Sequence, residues 1–84
     1  MSDAEIILEF LEDEIEDLPE DSELNAQTSL FREQLLDSMN LTGLITFLEE
    51  TFEIRIGAMD IVFENLDTVD NMIAFIARKR AASA

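Results

Sequence analysis

Hydrophobic residues recur at helical spacing in three stretches of this chain. In the first, Ile6, Ile7, Phe10, Leu11, Ile15 and Leu18 step by three and four with Glu and Asp between them. Ser2 suits the N-cap and Pro19 the stop, so the pattern predicts an amphipathic helix over about residues 3–17. After Asp37, the residues Leu41, Leu44, Ile45, Leu48 and Phe52 repeat the spacing and predict a second helix over about 38–53, capped by Asp37 or Ser38. Asp67 and Thr68 then cap a last helix over about 68–80 that carries Val69, Met72, Ile73 and Ile76. Arg78, Lys79 and Arg80 suit the negative end of its dipole, and Ala81 to Ala84 are expected to fray.

Between these stretches the period is lost. Residues 19–36 still carry Leu24, Leu30, Phe31, Leu35 and Leu36, too apolar for a floating linker, which predicts a long loop pinned to the core. Phe52-Glu53-Ile54-Arg55-Ile56 alternates like a strand, but no second strand exists to pair with it, so it reads as a helix end and connection. Gly57 turns the chain, and Met59, Val62 and Phe63 predict one short helix over about 59–64. The expected fold class is all-α: three main helices plus one short helix, a long loop between the first two, in one domain over 1–84 without internal repeat.

Composition narrows the chemistry. A domain of 84 residues buries little more than about 60% of the surface its unfolded chain exposes, which leaves scant interior for a catalytic cleft. The absence of cysteine and histidine removes disulfides, thiolate nucleophiles, imidazole bases and the usual zinc ligands. As a nucleophile Ser38 has only Lys79 or a carboxylate as base, so self-catalysed acyl transfer is not expected. None of the 20 carboxylates follows the spacing of an EF-hand loop, and no metal site is expected.

No run approaches the roughly 18 apolar residues that span a bilayer, and the acidic start lacks the basic region of a secretory signal. The reading is a monomeric cytoplasmic protein without membrane insertion. The net charge is -15, and residues 1–24 hold eleven acidic side chains and no basic one, which repels nucleic acid and anionic lipid. Either the acids meet basic patches on protein partners or they serve only solubility.

Ser38 stands at a helix start, behind a loop that can leave its hydroxyl open to a partner enzyme, although serine and aspartate are also ordinary N-cap residues. The run Leu35-Leu36-Asp37-Ser38-Met39 ahead of an apolar helix, then Phe52-Glu53-Ile54-Arg55-Ile56, then Glu64-Asn65-Leu66-Asp67-Thr68-Val69 resembles the acyl carrier protein family over nearly the whole chain. The tripeptide alone is a weak signal; with both later segments at those separations it is a strong one.

The resemblance implies a non-catalytic carrier in which Ser38 receives 4'-phosphopantetheine from coenzyme A through a separate phosphopantetheinyl transferase. The thiol of that arm, the only one available in a chain without cysteine, would hold cargo as a thioester. A phosphodiester at a helix N-terminus would meet unpaired N–H groups and the positive end of the dipole. Asp37 is implied as cap and transferase contact, with Met39, Asn40, Leu41, Gly43 and Phe47 on the docking face; for Phe47, core and docking anchor both stay open. Further implied partners are an adenylating ligase or synthase and a downstream acyltransferase.

Three departures qualify the resemblance. The glycine common two residues before the aspartate is Leu35 here, so the loop's last turn should differ. Residues 38–48 carry no acid, which predicts docking less ionic than in fatty-acid synthesis, and Gly43 within a helix costs about 1 kcal/mol relative to alanine, so it either permits close partner approach or is simply tolerated. Six phenylalanines would fill space a long acyl chain might occupy. Together with Leu-Leu-Asp-Ser-Met, which is similar to D-alanyl and aminoacyl carriers, this favours a small acyl or aminoacyl cargo. The rival reading is an unmodified acidic helical module that occupies a basic partner surface. A degenerate carrier is disfavoured by the intact serine.

Overall fold

The computed structural model describes residues 2–15 and 24–83. Helix α1 spans Asp3–Glu14, its first turn closed by Ser2, whose Oγ accepts from the Glu5 N–H at 3.2 Å. It stops earlier than the apolar spacing predicts, because Ile15 leaves the helix with extended backbone (φ -91°, ψ 98°) while still burying its side chain. Glu12, Asp13 and Glu14 crowd the negative end of the dipole with no basic residue in the last turn, which disfavours a further turn. Leu18 and Pro19 lie outside the described residues.

Helix α2 spans Ser38–Phe52 and buries Leu44, Leu48 and Phe52, a run of i, i+4, i+8 that forms one stripe. Its end is set by Glu53 in the left-handed region (φ 54°, ψ 49°), after which Ile54 turns into the core and Ile56 is held by its N–H donating to Glu49 Oε2 at 3.0 Å. This segment is a connection, as expected.

The short helix expected over 59–64 is two pieces. A 3-10 turn covers Ala58–Asp60, and helix α3 covers Phe63–Leu66. Ile61 and Val62 separate them, Val62 in extended backbone (φ -129°, ψ 155°), as suits a β-branched pair that resists helix. Helix α4 spans Val69–Ser83, capped by Thr68, whose Oγ1 accepts from the Asn71 N–H at 3.0 Å. It ends three residues beyond the expected 80, since alanine is the best helix former and Ala81 and Ala82 extend the last turn.

These elements form a small helical bundle, with no strand among the described residues. α4 packs against α3 and α1, and α1 against α2. Ile7, Leu11 and Ile15 of the first arm meet Leu44, Leu48 and Phe52 of α2, Leu66 of α3, and Val69, Met72, Phe75 and Ile76 of α4 in one core. The loop adds a fully buried Leu30, with Leu24, Phe31, Leu35 and Leu36 packed against its margin, so the described part of the long loop is pinned by the residues that predicted it.

Candidate functional site at the start of helix α2

The chain reaches α2 through a turn that closes when the Leu35 N–H donates to the Leu30 carbonyl at 2.9 Å. Gln34 takes the left-handed conformation there, φ 55°. Leu35, which stands two residues before the aspartate, is not in the left-handed region; in this turn Gln34 is. Leu35 and Leu36 are then half-buried, and Asp37, Ser38 and Met39 emerge exposed.

Asp37 does the capping. Its Oδ1 accepts from the Asn40 N–H at 2.8 Å and its carbonyl from the Leu41 N–H at 2.9 Å. Ser38 is therefore the first helical residue, with an exposed side chain that makes no hydrogen bond among the described residues; its carbonyl accepts from Thr42 Oγ1 at 2.9 Å. Of the two capping-capable residues, the helix uses Asp37.

The one lysine that could serve Ser38 as a base is engaged by other groups. Lys79, the only lysine, lies 2.6 Å from Asp60 through its ammonium group and sits over the Phe75 ring. That ion pair and the Gly57 N–H, 3.0 Å from Asp60 Oδ2, hold the Asp60 carboxyl below its ordinary value. Arg78 donates to Asn65 Oδ1 at 2.8 Å and Arg80 covers the Phe52 ring.

The other residues expected on the docking face divide in two. Met39 is 81% exposed beside Ser38, while Asn40 and Leu41 are half-buried. Gly43 and Phe47 face α1. A Cβ on Gly43 would stand 3.1 Å from Glu14 Oε1, and the Phe47 ring stacks on Phe10 with centroids 4.1 Å apart and planes at 9°. The close approach at Gly43 thus belongs to the α1–α2 contact.

Sequence reasoning missed an apolar surface on the α2–α3 connection. Met59 is 92% exposed and Phe63 58%, with Ile61 and Val62 also outward. The Phe63 ring lies 5.6 Å from Phe31 of the loop that leads to Ser38. A short connection gives no periodicity from which outward orientation could be read.

Compared with known families, residues 5–76 match the phosphopantetheine attachment site family. The chain belongs to the acyl carrier protein family. Among curated relatives, the probable acyl carrier protein PigG of a Serratia species is 34% identical over 58 residues, which cover 69% of this chain and 67% of the relative. The chain is thus a carrier protein bearing 4'-phosphopantetheine, and family carriers are generally not catalysts. The residues at the start of α2 fit that group: the side chain of Ser38 is exposed, and capping is done by its neighbour. Among the described residues no helix is long and apolar enough to cross a membrane, and no cluster of three or more His, Cys, Asp or Glu side chains is placed to hold a metal ion.

Proposed function

We propose that the protein is a cytoplasmic carrier that holds a small acyl or aminoacyl group as a thioester on a 4'-phosphopantetheine arm at Ser38 and presents it to partner enzymes. The observation that carries this reading is the exposed Ser38 hydroxyl at the first helical position, with the capping done by Asp37. When bound, the group supplies the thiol that the chain lacks. In attachment Ser38 Oγ would attack the phosphorus next to the pantetheine of coenzyme A, the pyrophosphate bond would break with the adenosine bisphosphate portion leaving, and a base on the separate transferase would take the serine proton. Asp37 keeps the first turn of α2 formed while Ser38 is approached.

The docking face runs from Asp37 through Met39, Asn40 and Leu41, with Gly43 and Phe47 at its border with α1. Met59, Val62 and Phe63 add apolar area that an adenylating ligase, synthase or acyltransferase can bury. A small cargo is favoured because Phe52 and Phe75 occupy the core, and Phe10 and Phe47 fill each other's space at the α1–α2 contact. The carrier itself catalyses nothing in this reading.

Intact mass before and after incubation with coenzyme A and a broad-specificity phosphopantetheinyl transferase tests the proposal, with Ser38→Ala alongside. A gain of one phosphopantetheinyl group in the wild type and none in Ser38→Ala is the expected result. A folded wild type that gains no mass would point instead to an unmodified module that acts by covering a basic surface.

A further inference from the structure

Among the described residues one polar side chain is buried, that of Asp67, 7% exposed. It is not spent on capping α4, which Thr68 does. Its Oδ1 instead accepts from Ser29 Oγ at 2.7 Å and from the Phe31 N–H at 3.3 Å, and its carbonyl accepts from the Leu30 N–H at 2.8 Å. Two bonds at Asp70 continue the seam: its N–H donates to the Ala26 carbonyl at 3.0 Å, and its Oδ2 accepts from Gln27 Nε2 at 2.8 Å. Residues 26–31 are thereby fastened to the start of α4.

The fastened segment is continuous with the reactive end of the molecule. Leu30, held by Asp67, accepts from Leu35 N–H, and only Leu36 and Asp37 then separate Leu35 from Ser38. An apolar side chain at position 67 would leave the Phe31 N–H and the Ser29 hydroxyl without this acceptor, and the loop would sample other placements.

We infer that Asp67 is a positioning residue for modification of Ser38: by clasping residues 29–31 it fixes where the loop delivers Ser38 to the transferase. This rests on the carrier reading proposed above. A transferase binds only those molecules whose loop is in place, so the apparent affinity falls by the fraction in that state, while chemistry in the bound complex is unchanged.

The test is steady-state transfer from coenzyme A to wild type, Asp67→Ala, Asp67→Asn and Ser29→Ala, with amide hydrogen exchange on the same proteins. Asp67→Ala is expected to raise the KM for the carrier about tenfold with kcat within about twofold. Exchange at Leu30, Phe31 and Leu35 should quicken while α1 and the middle of α4 stay protected. Asp67→Asn keeps an acceptor oxygen and should restore most of the KM, an outcome that a role in burial alone does not give.

An unchanged KM in Asp67→Ala, or an equal rise in Asp67→Ala and Asp67→Asn, overturns the inference. Should Asp67→Ala fail to fold, Ser29→Ala decides: a raised KM with local exchange supports the clasp, and a wild-type KM overturns it. If the wild type itself takes up no arm, the carrier reading fails and this inference with it. A modified wild type with indifferent variants sinks the clasp alone.

Discussion

Gln34 and Glu53 hold left-handed backbone, at φ 55° and 54°, where a side chain meets steric cost that glycine avoids. At Gln34 the conformation lets the Leu35 N–H return to Leu30 and so shapes the approach to Ser38. Replacing Gln34 with glycine should raise stability by about 0.5–1 kcal/mol, relief of strain outweighing the added freedom of the unfolded chain. The measurement is the urea midpoint at unchanged slope. A lowered midpoint would mean that the Gln34 side chain makes contacts worth more than the strain. That a left-handed residue sits here was not legible, since nothing local marks Gln34 for this conformation.

Asp60 and Lys79 tie the 3-10 turn Ala58–Asp60 to α4. The lysine, first, and the Gly57 N–H, second, stabilise the Asp60 carboxylate and lower its pKa from 3.8. A carboxyl whose folded pKa is depressed contributes stability that is fully present above its unfolded pKa and is lost as pH falls through the folded value. The difference in stability between wild type and Lys79→Met should therefore be constant above about pH 5 and shrink below about pH 4. Denaturant titrations across that range check it, and a difference that persists undiminished at pH 2 would contradict the assignment. The three long helices were readable because each carries two or more turns of regular spacing. The break at Ile61 and Val62 was not, since too few residues are involved for any period to show. The clasp was hidden for another reason: Ser29 and Asp67 are 38 positions apart, and only the packed core brings them together.

The whole molecule carries a net charge of -15, so its compact state works against its own field. Raising salt from about 0.02 to about 0.5 M should lift the thermal midpoint by about 5 °C or more, because the screening length shortens to a few Å. A midpoint that stays level or drops would mean that attractive pairs such as Asp60–Lys79 outweigh the repulsion. The charge was plain from composition. The location of the uncharged surface was plain only for α2, where residues 38–48 lack acids; the outward Met59 and Phe63 needed the fold.

Capping by Asp37, with its neighbour left over, has a consequence for how this protein tolerates change through descent. Loss of the cap costs a small domain about 1 kcal/mol whatever its biochemical duty, so selection for folding alone guards position 37. The exposed Ser38 side chain makes no hydrogen bond among the described residues, so folding asks less of it. If Ser38 carries the arm as proposed, a lineage that ceased to need it would be free to drift there at once, and a serine kept at 38 would mark continued use.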